Sequence, residues 1–277
     1  MEHIGLLMTC NEEDCIEEVM NEHAKYFDKI LVLDGSADRT EEIIRSYDAV
    51  KYFLKDSEII DKLPNRDFQD GARHFILSKA QEMYGYDNWI TLLHGDEIFH
   101  NNPIEMAENA EKEGAQKINW YAMNFFLHTS DKGKDLDAIR SVQERVTWYC
   151  PGFLEIRSFR NGKNVYYDPG QFHQVLPQGI GLKIYRHFPV YKHYPYRSVK
   201  QILRKKQQAG RSNFNLTTWR DIEGEEGCFQ EILPNYKVAR KFDGSFHEFE
   251  VENQGSLFAR WLRAHRYMPC KIGPFKI

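Results

Sequence analysis

Apolar positions in the first part of the chain alternate between short continuous runs and helically spaced stripes. Ile4 to Thr9, Ile30 to Leu33, Val50 to Leu54 and Trp89 to Leu93 are the runs. All four predict strands, and the continuous apolar character of Ile30 to Leu33 predicts one covered on both faces. Between them, Ile16, Val19, Met20 and Phe27 recur at helical spacing, as do Phe68, Ala72, Phe75, Ile76 and Met83. Thr40 to Ser46 and Pro103 to Glu113 also read as helices, the latter opened by a proline in its first turn. Asn11, three residues before Asp14, predicts a helix N-cap. Strand and helix alternating at this pace predict an α/β fold: a Rossmann-like, mostly parallel sheet with helices on both faces.

The rhythm changes after about Lys117. Ile118 to His128 reads as a long aromatic strand, followed by a polar loop from Thr129 to Asp137. Ile156 to Phe159 and Asn164 to Tyr167 flank Arg160-Asn161-Gly162-Lys163, which predicts a hairpin. Ser198 and Gln201 form a capping-box pattern before a basic helix running to Gln208. Beyond that, only Leu257, Phe258, Trp261 and Leu262 show helical spacing, so the chain divides into a body, residues 1–208, and a C-terminal extension, residues 209–277.

Composition narrows the function classes. A formal charge of −4 over 277 residues gives no general affinity for nucleic acid. The five cysteines are odd in number and show no CxxC spacing, which argues against a disulfide scaffold or zinc cluster and fits a reducing compartment. The acidic start is too short in apolar length for a signal peptide, and no stretch approaches the roughly 20 apolar residues of a membrane span. A cytoplasmic protein is expected. The basic region from Lys192 to Arg211 offers contact with anionic lipid at the membrane face.

Candidate chemistry gathers at two strand ends. Ile30 to Leu33 runs into Asp34-Gly35-Ser36-Ala37-Asp38-Arg39-Thr40, and Trp89 to Leu93 into His94-Gly95-Asp96-Glu97. Ligands of open α/β sheets collect beyond the carboxyl ends of the strands. Asp34 can accept hydrogen bonds from a base or ribose while Ser36 shapes the turn, and Asp38 is expected to cap the helix from Thr40. Asp96 can ligate Mg²⁺ or Mn²⁺ against a phosphate, with Glu97 holding the turn. A later run of cations and histidines, including Arg157, Arg160, His173, Arg186, His193, Arg197 and Lys200, is either a solvated face or a phosphate grip. One of its histidines, His173, is a candidate to complete a metal shell. Glu144, Glu155 and Asp168 are the candidate general bases, and Glu155 lies in the most aromatic surroundings.

These pieces resemble the family 2 glycosyltransferases, which have the GT-A fold. Leu33 to Thr40 is similar to that family's DxGSxDxT turn, Gly71-Ala72-Arg73-His74 to the helix before its metal strand, and Trp89 to Glu97 to a strand ending in DxDE. Thr9 to Asp14 is similar to the family's entry from first strand to helix. Arg157-Ser158-Phe159-Arg160 and His193 to Ser198 with Gln201 are similar to segments of bacterial members acting on surface polysaccharide or lipopolysaccharide. The resemblance spans roughly residues 3 to 208. It departs in one place: His94 stands where the family has the first aspartate of DxD, and a histidine suits Mn²⁺ better than Mg²⁺.

The resemblance implies a single inverting displacement that moves a sugar from a nucleotide diphosphate-sugar to a hydroxyl of a glycan or lipid-linked acceptor. Asp34, Ser36, Arg73 and Asp96 are then expected to bind the nucleotide-sugar. Asp96, His94 and His173 are the expected metal ligands; no motif of the family fixes the base in this chain, and Glu155 is the candidate for it from its aromatic surroundings. A non-catalytic nucleotide-sugar or glycan-binding protein on the same fold is the alternative, with His94 its main support. A sugar nucleotidyltransferase is disfavoured because Met8 to Glu13 lacks a glycine-rich, arginine-containing loop.

Overall fold

The structure, a computed structural model, describes residues 2–62, 72–169, 176–209, 223–233, 236 and 238–246. The first four strands are β1 (His3–Thr9), β2 (Ile30–Asp34), β3 (Val50–Lys55) and β4 (Trp89–His94). They form the parallel order β3-β2-β1-β4. Their alternate residues serve two cores. Leu7, Ile30, Val32 and Leu93 pack with α1 (Ile16–His23), α2 (Thr40–Arg45) and α4 (Pro103–Lys112). Ile4, Leu6, Leu31, Leu33 and Leu92 pack with α3 (Ala72–Tyr84) on the opposite face. The mixed α/β architecture has the Rossmann-like parallel half expected from the pattern and is the GT-A-type fold that the resemblance implies.

The sheet continues through β7 (Trp148–Arg160), β6 (Lys117–Phe126), β8 (Val190–Tyr196) and β5 (Glu97–Phe99), giving β3-β2-β1-β4-β7-β6-β8-β5. A ninth strand, β9 (Arg240–Lys241), lies along β7. β7 is antiparallel to both β4 and β6, and β8 is parallel to β6, so β6 and β8 run with β1–β4 while β7 and β5 run against them. The short helix α5 (Val142–Arg145) precedes β7, and α6 (Val199–Ala209) follows β8. Among the described residues no helix is long and apolar enough to cross a membrane.

Two local expectations are corrected. The hairpin around residues 160–163 does not form. β7 instead runs unbroken to Arg160, and Asn161 then docks on the α3–β4 loop through Asn88 Oδ1 at 3.0 Å and Gly85 O at 3.2 Å. Asn11 does not cap α1; it adopts a left-handed φ of 59°, and its side chain accepts from the Ala37 N–H at 2.8 Å. Asn tolerates that conformation because its short polar side chain bonds locally. The expected Phe68 position lies outside the described residues, as does the Leu257–Leu262 cluster.

Two buried imidazoles make this fold acid-sensitive. His3 is held by Thr91 Oγ1 at 2.6 Å, and burial pushes its pKa down to about 3. His23 lies against Phe99 with neither ring nitrogen hydrogen-bonded, and burial pushes it down to about 4. Unfolded histidine titrates near 6.5, so below that pH the unfolded chain binds more protons and stability falls with pH. Each site is expected to cost about 2 kcal/mol near pH 5. Urea midpoints at pH 7 and pH 5 check this, and His23→Phe should about halve the difference because His3 remains; equal wild-type midpoints would contradict it.

Candidate functional site

Strand register builds the site. Thr9 pairs with Asp34, Asp34 with Lys55, and Met8 with His94, so the carboxyl ends of four parallel strands lie in one row. β1 is flanked by β2 on one side and β4 on the other, the place where the strand order reverses and a crevice opens.

On the β2 side Asp34 is fully buried. Its Oδ1 accepts from Thr9 Oγ1 at 2.7 Å and from Ser36 Oγ at 2.5 Å. Its Oδ2 accepts from Lys55 Nζ at 2.5 Å, and the same ammonium reaches the Ser36 carbonyl at 2.8 Å and Glu41 at 2.8 Å. The Asn11 N–H donates to Ser36 Oγ at 2.7 Å, which laces the end of β1 to the turn after β2. Asp38 accepts from the Thr40 N–H at 3.0 Å, as a cap at the start of α2 would. Asp34 therefore holds a hydroxyl pair and a lysine in fixed positions at the mouth of the crevice.

On the β4 side the chain turns at Gly95. A Cβ there would lie 2.9 Å from both Thr9 Cγ2 and Glu12 Cγ, so only glycine lets this turn close against the end of β1. Asp96 is nearly buried, with Oδ2 3.2 Å from Lys205 Nζ, 3.7 Å from His193 Nε2 and 3.9 Å from Arg197 Nη1. Burial pushes its carboxyl up, but Lys205, His193 and Arg197 outweigh that and hold it well below the usual carboxylate range. Glu97 follows the same logic: burial opposes its charge, Arg157 and His94 favour it, and its pKa falls to about 2.

Strand β5 was not legible as a strand, and it places Glu97 opposite His193 on β8. Glu97 Oε1 bonds the buried Arg157 guanidinium and lies 3.0 Å from His94 Nδ1. An ionised carboxylate only accepts, so His94 donates from Nδ1, and a neutral ring presents a free lone pair at Nε2. Arg157 Nη2 also lies 2.7 Å from Glu155 Oε2, an ion pair whose angles are poor for a hydrogen bond, and it donates to the Tyr191 hydroxyl at 3.2 Å. Glu155 is thus tied to the acidic turn through Arg157. Of the other base candidates, Glu144 is exposed on α5 and Asp168 is half-buried. Arg73 reaches Met8 near the end of β1, with Nε 3.2 Å from Sδ. His173 lies outside the described residues.

Among the described residues, two clusters offer metal-ligand atoms within 4.8 Å of one another: Glu12, Asp14 and Cys15, and His94, Asp96 and Glu97. The first does not fit an ion. Arg197 bonds Glu12 and forks onto Asp14, with Nε 2.9 Å from Oδ2 and Nη2 2.8 Å from Oδ1, and the Cys15 thiol donates to Gly95 O at 3.2 Å. The second fits better, because Glu97 Oε2 is buried without a hydrogen-bond partner beside Asp96 and the free side of His94.

The site also contains residues that sequence reasoning passed over or placed elsewhere. Lys55, Glu12 and Arg145 were not singled out, although Lys55 ends a strand in line with Asp34. Arg204 and Lys205 were read as a membrane face. Instead, Arg204 donates to the Asn11 carbonyl and lies 3.9 Å from Asp38, while Arg197 is fully buried.

Residues 6–168 match the model of a family described as glycosyl transferase family 2. The chain belongs to glycosyl transferase family 2. Both strand-end turns and the Glu155–Arg157 pair lie inside the matched range, while α6 lies beyond it. No curated protein matches this family 2 chain.

Three solved structures are similar to parts of it. One is described as a glucose-1-phosphate thymidylyltransferase from Bacillus anthracis in complex with a sucrose (12% identity, 46% of this chain and 57% of that one, TM-score 0.27). Another is a mannose-1-phosphate geranyltransferase from Thermus thermophilus (12%, 57% and 50%, TM-score 0.31). The third is mouse xyloside xylosyltransferase 1 in its apo form (15%, 46% and 54%, TM-score 0.22). The chain spans about half the length of each. Those scores are too low for the likenesses to bear on fold or activity.

Proposed function

We propose that this family 2 member transfers a sugar, with inversion, from a nucleotide diphosphate-sugar to a hydroxyl of a glycan or lipid-linked glycan. The observation that carries the reading is the row of strand ends. It sets the Asp34 corner and the His94–Glu97 turn on either side of β1, inside a range that matches a glycosyltransferase family. In this reading the nucleoside lies toward Asp34 and Ser36, with Arg73 under the crevice, and the diphosphate lies toward Asp96. Glu155 takes the proton of the acceptor hydroxyl, and Arg157 fixes its orientation. A divalent cation held by His94, Asp96 and Glu97 would neutralise charge on the departing diphosphate, and the imidazole ligand favours Mn²⁺ over Mg²⁺. His173 is a further candidate ligand.

The rest of the reading is organisational. Residues 1–208 form the catalytic body and 209–277 an extension, at the cytoplasmic face of a membrane where a lipid-linked acceptor would lie. Since Arg197, Arg204 and Lys205 turn inward, lipid contact would fall to exposed cations such as Lys200, whose side chain is 85% exposed.

Calorimetry of UDP-, GDP- and dTDP-sugars with Mn²⁺, Mg²⁺ or EDTA, with a CMP-sugar as monophosphate control, tests the proposal when paired with an assay of released nucleoside diphosphate. One donor should bind with metal and turn over, and Asp96→Ala should lose at least tenfold in affinity, about 1.4 kcal/mol. Binding without turnover on any glycan acceptor would favour the non-catalytic reading, for which His94 in place of an aspartate is the supporting observation. No binding of any donor would reject sugar transfer and move the weight to a glycan- or partner-binding role.

A further inference from the structure

Helix α6 brings a lysine to the place where a cation is wanted. Its N-terminus is fixed by the Ser198 hydroxyl, which accepts from the Gln201 N–H at 3.1 Å. Ile202 is fully buried in the core, and the Gln201 amide donates to the Pro195 carbonyl at 3.0 Å. Residues three and four apart share a helix face, so these two anchors aim Lys205 inward. Its side chain is 24% exposed, and Nζ sits 3.2 Å from Asp96 Oδ2. One residue earlier, Arg204 clamps the helix to the Asn11 carbonyl. Lys205 is therefore held over the acidic turn by its own helix. Beside it, Glu97 Oε2 is buried and partnerless, an acceptor that Lys205 does not satisfy.

We propose that Lys205 is the resident cation of this turn: it occupies the cation position at Asp96 in the ligand-free protein and competes there with a divalent ion. The inference rests on the nucleotide diphosphate-sugar reading. When metal and diphosphate enter, the ammonium leaves Asp96 for a phosphate oxygen, so no unpaired charge is left buried. In the empty protein it joins His193 and Arg197 in balancing the charge of the nearly buried Asp96.

The test is Mn²⁺ binding to nucleotide-free full-length protein, followed by the electron paramagnetic resonance signal of free Mn²⁺. Lys205→Gln should bind Mn²⁺ about tenfold more tightly than wild type, while Lys205→Arg should stay close to wild type. Lys200→Gln removes an exposed ammonium 3.7 Å from Glu13 and should change nothing. In EDTA, the affinity for the cognate nucleoside diphosphate should fall in Lys205→Gln, because the resident cation is gone. Equal Mn²⁺ affinity in wild type and Lys205→Gln would overturn the inference, as would an equal gain in Lys200→Gln. If neither wild type nor Lys205→Gln binds Mn²⁺, Lys205 competes with no ion and the inference also falls. Nucleoside diphosphate binding in the same samples then shows separately whether the donor reading survives.

Discussion

Arg197→Ala is expected to cost the fold roughly 3–5 kcal/mol, the range seen when one partner of a buried ion pair is removed. The guanidinium is fully buried and holds four groups at once: Glu12, both oxygens of Asp14, and the Tyr194 carbonyl at 3.2 Å. Burial already pushes Glu12 upward even with Arg197 beside it, so without that cation it would take a proton in the folded state. A carboxyl whose folded pKa is raised stabilises below its unfolded pKa and loses that stability as pH rises through the folded one. The deficit of Arg197→Ala against wild type should therefore be largest near neutrality and shrink toward pH 4.5. Arg197→Lys should recover only part of it, since an ammonium cannot span the fork on Asp14. Urea midpoints across this pH range decide the matter. A neutral-pH loss under about 1 kcal/mol would mean that Glu12 and Asp14 find other partners.

In the parallel half of the sheet β3 is a partly exposed edge strand, while β1, β2 and β4 were legible because they are buried on both faces. For such strands apolar continuity is the signal, and each of β1 to β4 matches its apolar run within about one residue. Of β7 only the end, Ile156 to Phe159, was legible, and the rest was not for two physical reasons. Pro151-Gly152 reads as a turn, yet a Cβ at Gly152 would lie 2.6 Å from the Ala122 carbonyl, so the glycine permits close strand approach instead. Glu155, Arg157 and Ser158 then break the apolar pattern, although Arg157 is neutralised by Glu155 and Glu97, and Ser158 bonds Thr91 and Trp120. Polar residues that satisfy one another inside a sheet resemble a surface when seen one strand at a time.

The candidate site divides in the same way. Asp34 and Asp96 stood out because each ends an apolar run in a short acidic turn. Their partners did not, because the contacts join distant segments. Lys55 is 21 residues from Asp34, Lys205 is 109 from Asp96, and Arg197 is 183 from Asp14. The cations from Arg157 to Lys200 left two readings open, a solvated face or a phosphate grip, and the region from Lys192 to Arg211 was read as a lipid contact. Charge alone cannot separate them; the helix phase that turns Ile202 and Lys205 to the same side does.

Asp34→Asn is expected to weaken nucleoside diphosphate binding by roughly 10- to 100-fold, the effect of losing one hydrogen-bonded charge. The amide keeps the shape and one acceptor for Thr9 and Ser36, but it replaces the carboxylate oxygen facing Lys55 with a donor or a neutral acceptor. Lys55 would then swing toward Glu41, which it already contacts, and the Ser36 turn would lose its clamp. Because Asp34 is buried, its variants must be separated into folding and binding effects. Lys55→Met serves this purpose, since it breaks the same ion pair while leaving the carboxylate in place. If Asp34 only braces the turn, both variants should lower the urea midpoint and weaken binding in parallel. If its charge also orients the nucleoside, Asp34→Asn should lose distinctly more affinity than Lys55→Met at a similar cost in stability. Calorimetric titration with the diphosphate that binds wild type, at matched folded fractions, separates the two. Undiminished affinity in Asp34→Asn would remove this carboxylate from the nucleoside site.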